Sequence, residues 1–291
     1  MDISPQAHRQ TFGTHIVPQR FDEEELIRLP LQDRLITEGM GGVLPEVPDP
    51  TIFAHVLDVG CRAGTWLIQT AQTYPSISRL IGIDLSPRMI AYANKQAEQQ
   101  GVGDRVTFRV MDALGVLEFP EKSFDLVNMR MGATFIRTWD WPRLLQEFQR
   151  VTRRGGLIRL VESDIIGSST SAAFNRVGDL LVQALYQAGY FFTPTHDSLL
   201  NEIPRLMKQQ GMRDIHVHTY TLEFHGGTPA GQSFAEDIMR AVPVLEPFVQ
   251  KWVRLPEDFE ELTRQMARDM QQPDFVATWT LLTAWGNKDV R

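Results

Sequence analysis

The sequence predicts an α/β fold, a doubly wound and mostly parallel sheet with helices on both faces. Three observations predict it. Short apolar runs alternate with segments of helical period from residue 56 to residue 163. The first run, residues 56–59, ends in the turn Gly60-Cys61-Arg62-Ala63-Gly64, which opens a helix at Thr65. The second run, residues 80–83, ends in an acid, Asp84. Continuous apolar strands joined by helices need cover on both faces. A glycine turn that leads into a helix lets the backbone approach a ligand, and an acid ending the next strand is placed for ribose hydroxyls.

In chain order, residues 1–20 lack periodicity and form a lead-in. Residues 22–31 start acidic and place Leu26 and Leu29 at helical spacing, which predicts a short helix. Pro30 breaks it or starts a second helix over 32–40, stopped at Gly41-Gly42. Pro45, Pro48 and Pro50 stiffen the connector to the first strand. Strands are expected near 56–60, 80–84, 105–110, 124–129 and 156–163, with helices near 64–73, 87–100 and 142–152. Beyond these, 171–188 and 198–210 read as helices, and 214–224 and 275–285 as strands. The intervening residues 226–273 are too many for a hairpin loop, and 240–254 and 257–270 have helical character, so an inserted helical cap is expected.

Composition bounds the partners. The 291 residues are 43% apolar and 22% charged, as in a globular protein large enough for one elaborated domain. A net charge of −7 with no long basic run argues against nucleic acid and anionic membrane surfaces. The single cysteine, Cys61, excludes an internal disulfide and fits a reducing, cytoplasmic setting. No apolar stretch approaches the ~20 residues of a membrane span, and the start is not that of a signal peptide. The sequence does not determine oligomeric state.

The acid-first spacing Asp58-x-Gly60-x-x-x-Gly64 resembles the first motif of the class I S-adenosylmethionine (SAM) dependent methyltransferases. The resemblance continues in order through Ile83-Asp84-Leu85-Ser86-Pro87-Arg88-Met89, Val106 to Ala113, Phe124 to Arg130 and Arg150 to Leu157. It implies a Rossmann-like seven-stranded sheet whose last two strands close it antiparallel. It divides the chain into a lead-in (1–50), a SAM-binding core (51–165) and a C-terminal part (166–291) carrying the cap (226–273). It also implies that Asp84 meets the ribose, that Met111, Asp112 and Ala113 border the adenine and that Leu85 lies in the cofactor pocket. Asp58, Gly60, Cys61, Arg62, Gly64, Met89, Asn128 and Met129 would complete the cofactor pocket. The family has glycine where this chain has Arg62. That side chain either projects to solvent or reaches a carboxylate on the cofactor or an acidic acceptor.

Methyl transfer needs an aligned acceptor, excluded water and, for an oxygen or nitrogen acceptor, sometimes a base. His196, beside Asp197, Glu162, at the end of the fifth strand, and Arg130, at the end of the fourth, are the candidates for that side of the site. No metal is expected: His216 and His218 share a strand face, where ordinary strand positions are the simpler reading than a metal pair. The cap carries Phe248, Trp252 and Phe259 with no basic run, which suggests a small, largely apolar acceptor and O-, N- or C-methylation. Two rivals remain: an enzyme of this fold that uses a carboxylated SAM or catalyses a step other than methyl transfer, and a non-catalytic SAM-binding module.

Overall fold

A computed structural model describes residues 22–164 and 167–288. Its centre is a seven-stranded sheet in the order β3-β2-β1-β4-β5-β7-β6. The strands are β1 (His55–Val59), β2 (Arg79–Asp84), β3 (Val106–Val110), β4 (Phe124–Arg130), β5 (Thr152–Ser163), β6 (Arg213–His225) and β7 (Val276–Asn287). The first five run parallel. β7 is antiparallel to both β5 and β6, so the late strands close the sheet as expected. β1 and β4 are neighbours although two βα units separate them in sequence. The strand order therefore reverses there and opens a crevice at the carboxyl ends, where ligands bind in such sheets.

The helices are α1 (Asp22–Gly39), α2 (Thr65–Thr73), α3 (Pro87–Gln99), α4 (Trp141–Val151), α5 (Ala172–Gln187), α6 (Ser198–Gln209), α7 (Pro229–Trp252) and α8 (Phe259–Asp269). Alternation along each strand sorts the core. Leu57, Val127 and Ile158 share one cluster with Leu145 and Phe148 of α4 and Ile203 of α6. Val56, Leu80 and Leu126 share another with Trp66 and Leu67 of α2 and Ala93 of α3. All seven residues of β4 are buried, as a central strand covered on both faces requires. Each fully buried Val, Leu or Ile contributes about 1.5–3 kcal/mol.

Two expectations change. The N-terminal helices are one helix, with Pro30 inside α1. Proline withholds one donor and disfavours helix continuation, but tertiary contacts hold both halves. Arg28 pairs with Glu25 and with Asp237 of α7, and Asp33 pairs with Arg130. The first helix after β6 begins at Pro229, well ahead of residue 240. Thr228 caps it by accepting from Gly231 N at 3.0 Å, and Pro229 supplies the preset first-turn φ. Pro243 and Pro247 lie within it.

Candidate active site

The turn after β1 is built by left-handed backbone. Gly60 has φ 69° and Gly64 φ 77°. A Cβ on Gly60 would stand 2.7 Å from the Phe135 ring, and one on Gly64 2.5 Å from Phe108. Neither position has room for a side chain. Between them Arg62 also has φ 52°, which costs a non-glycine residue on the order of 1–2 kcal/mol. The strained peptide is pinned because Arg62 N donates to Asp84 Oδ2 at 3.0 Å. Cys61 is buried, its thiol pushed up by burial and then by Asp84, which fits packing and not nucleophilic chemistry.

Asp84 is half-buried at the carboxyl end of β2. Its Oδ1 accepts from Ser86 N at 2.9 Å and its Oδ2 from Arg62 N. A carboxylate offers about four acceptor sites, so two remain for a ligand. Leu85 beside it is 36% exposed, an apolar surface next to the acid. After β3, Met111 is half-buried, Ala113 buried and Asp112 exposed, with Asp112 Oδ1 turned back to Leu114 N at 2.9 Å. The structure thus brings Arg62 and Asp84 together by direct contact and sets Leu85 and the 111–113 turn on neighbouring strand ends.

Other expected residues lie deeper. Met89 is buried in α3, and Met129 has no exposed surface. Asn128 is fully buried and spent on both ends: Nδ2 donates to Asp58 Oδ1 at 2.8 Å, and Oδ1 accepts from Arg159 Nη1 at 2.9 Å. Burial pushes the Asp58 carboxyl up to about 7, against the pull of Asn128 and Arg130. Arg159 continues this row to Glu46, at 3.1 and 3.2 Å, and Tyr220 OH donates to the same carboxylate at 3.0 Å. The row is a charged seam across the sheet beneath the turn. Sequence reasoning missed Glu46 and Tyr220. Arg159 within an apolar run was the one available signal, since a cation central to a covered sheet must have a partner.

The acceptor-side candidates are also tied. Arg130 donates to Asp33 at 2.5 Å and Thr37 at 3.1 Å, both on α1, and lies over the Trp66 ring. Glu162 accepts from Gly132 N at 2.6 Å and Ala133 N at 3.3 Å, so it braces the turn after β4; burial still pushes it up to about 7. Asp164 Oδ1 accepts from Thr280 N at 2.7 Å. His196 is half-buried, 3.1 Å from Asp179 of α5. His216 stacks on Trp285, and His218 packs on Tyr220. Arg62 does not project to solvent. Its guanidinium turns inward to Gln32 Oε1 at 3.2 Å, Met131 O at 3.4 Å and Thr134 Oγ1 at 3.4 Å.

Residues 56–156 match the family described as methyltransferase domain. The chain is 28% identical over 177 residues to demethylmenaquinone methyltransferase of Lactiplantibacillus plantarum, covering 57% of this chain and 73% of that one. It is 37% identical over 145 residues to aklanonic acid methyltransferase DauC of Streptomyces sp. strain C5, covering 49% of this chain and 62% of that one. The core of the chain, residues 56–156, belongs to the class I SAM-dependent methyltransferases. The methyltransferase fold extends beyond the matched core. Phosphoethanolamine N-methyltransferase 2 of Haemonchus contortus, solved with phosphomonomethylethanolamine and S-adenosylhomocysteine, superposes with a TM-score of 0.55 at 20% identity, over 96% of this chain and 59% of that one. The crevice fits SAM through a carboxylate with acceptor capacity to spare and an exposed apolar residue beside it, while the missing Cβ atoms of Gly60 and Gly64 make room for the Phe135 and Phe108 rings. Among the described residues, no helix is long and apolar enough to cross a membrane.

Proposed function

We propose that this methyltransferase acts on a small, largely apolar organic acceptor, at oxygen, nitrogen or carbon. The observation that carries the reading is an apolar groove between α5, α7 and α8, lined by Leu180, Leu181, Ile238, Leu245, Val249 and Phe259, with Glu246 its one ionisable residue. Such a lining favours apolar ligands and offers little to a phosphate backbone or a charged tail. The names of the demethylmenaquinone and aklanonic acid enzymes point the same way.

In this reading the 226–273 insert closes on the cofactor crevice. Phe248 of α7 meets Tyr190 edge-on, 5.9 Å between centroids, in the segment that follows α5. SAM, when bound, supplies an activated methyl group on a sulfonium. The chain's part is to hold the ribose at Asp84, flank the adenine with Leu85, Met111, Asp112 and Ala113, and keep water from the acceptor. Glu162 and Arg130 act as braces for the β4 end. His196 is the remaining candidate for a base.

The test is transfer of labelled methyl to a panel of small acceptors, together with hydrogen exchange of 226–273. Both ligands together should slow exchange there, and Phe259→Ala should raise the acceptor's KM while leaving S-adenosylhomocysteine affinity unchanged. Exchange indifferent to ligands, with unaltered KM, places the acceptor elsewhere. Mass spectrometry of cofactor carried through purification separates SAM from a carboxylated analogue.

A further inference from the structure

We propose that Arg62 is a carboxylate receptor in the active site, gripping a ligand carboxylate with a guanidinium that the protein itself leaves without an acidic partner. The assignment rests on S-adenosyl ligands binding at this turn. Arg62 stands in left-handed backbone that glycine adopts freely, at φ 52°. Its backbone N–H is locked to Asp84, so the side chain leaves the turn from a fixed point beside the expected ribose acid.

The guanidinium's partners are unusual for this protein. The buried arginines each hold a carboxylate: Arg28 holds Glu25 and Asp237, Arg130 holds Asp33, and Arg159 holds Glu46. Among the described residues Arg62 pairs with none. Its acceptors are an amide, a backbone carbonyl and a hydroxyl, all neutral and all at 3.2–3.4 Å. These are long for charge-assisted bonds, which run about 2.7–2.9 Å.

The nearby acids are committed. Asp33 is taken by Arg130, Asp84 faces the Arg62 backbone, and both Glu162 oxygens accept from the turn after β4. Burial holds Arg130 below its ordinary value, and repulsion from Arg159 and then Arg62 adds a smaller push in the same direction. The inner wall of the crevice therefore presents a guanidinium whose planar fork of donors touches no carboxylate, with Glu162 close enough to feel its charge but turned to the Gly132 and Ala133 N–H groups. A carboxylate matches that fork with two parallel bonds, and it is the anion that an S-adenosyl ligand brings. Two sources carry one: the amino-acid end of the S-adenosyl ligand, and an acidic acceptor.

The test titrates the full chain by calorimetry with S-adenosylhomocysteine and with its decarboxylated analogue, in wild type, Arg62→Gln and Arg62→Gly. Arg62→Gly relieves the left-handed strain, so its melting temperature should equal or exceed wild type and certify the fold. In a second arm, with S-adenosylhomocysteine saturating, 2-naphthoate and its methyl ester are compared by tryptophan fluorescence. A tenfold or greater preference for the carboxylate form in either arm, reduced to about twofold or less in both variants, supports the proposal and names the source. Preferences unchanged by the substitutions in both arms, with S-adenosylhomocysteine still bound, overturn the role of Arg62 alone. Failure of wild type to bind S-adenosylhomocysteine overturns the cofactor assignment as well.

Discussion

Replacing Asp84 by alanine removes a carboxylate that serves two masters. Toward the protein it accepts from Arg62 N at 3.0 Å and Ser86 N at 2.9 Å, one bond per oxygen. Toward a ligand it has about two acceptor sites left for the ribose hydroxyls. A charge-assisted hydrogen bond contributes about 1.5–3 kcal/mol, so losing the ribose contact should weaken S-adenosylhomocysteine on the order of tenfold to a hundredfold. Release of the strained turn adds to the raw loss, because Arg62 then has no acceptor holding its peptide. The two contributions separate in a double-mutant cycle, pairing Asp84→Ala with a 2′,3′-dideoxy ligand, by calorimetry. The expected coupling is about 1.5–3 kcal/mol. Dissociation constants that respond to the two changes independently refute the ribose contact, even if Asp84→Ala alone weakens binding.

Three further outcomes follow from the same geometry. Asp112→Ala should weaken S-adenosylhomocysteine more than an analogue lacking the exocyclic amine, because exposed Asp112 has one oxygen not engaged by Leu114 N; equal weakening counts against the contact. Glu46→Ala leaves Arg159, 1% exposed, without a carboxylate and should cost about 3–5 kcal/mol in urea unfolding; a loss under 1 kcal/mol would show the seam adds little. Asp58 and Glu162 are both raised to about 7 from 3.8 and 4.5, so the folded chain holds protons that the unfolded chain releases. Their contribution to stability is full below about pH 4, falls as pH rises to about 7 and is level beyond. Asp58→Asn, which keeps a carbonyl acceptor for Asn128, should flatten that decline and stabilise the protein at pH 8 by at most about 4 kcal/mol. Urea melts at pH 5.5 and 8 with the same slope in both proteins would remove Asp58 as its source.

Much of the cofactor core was legible in one dimension. Residues 55–59, 79–84 and 87–99 announce themselves because hydrophobic period, the Gly60–Gly64 turn and the Ser86-Pro87 cap are local signals. The antiparallel closure by β7 was legible only through the family resemblance. Pro30 misled for a physical reason: local propensity opposes a helix there, and the contacts that override it come from residues far along the chain.

The sequence by itself determined the fold class, the strand ends that converge on the crevice and the cofactor, since each depends on neighbours a few residues apart. Only the tertiary structure decided which polar residues are partners. Glu46 reaches Arg159 across 113 positions, Arg28 reaches Asp237 across 209, and Arg62 turns inward to α1 and the β4 end. A buried charge is tolerated only where a partner meets it in space. No spacing along the chain records that meeting, so the seam under the turn and the Arg62 guanidinium held by neutral acceptors above it appear only once the chain is folded.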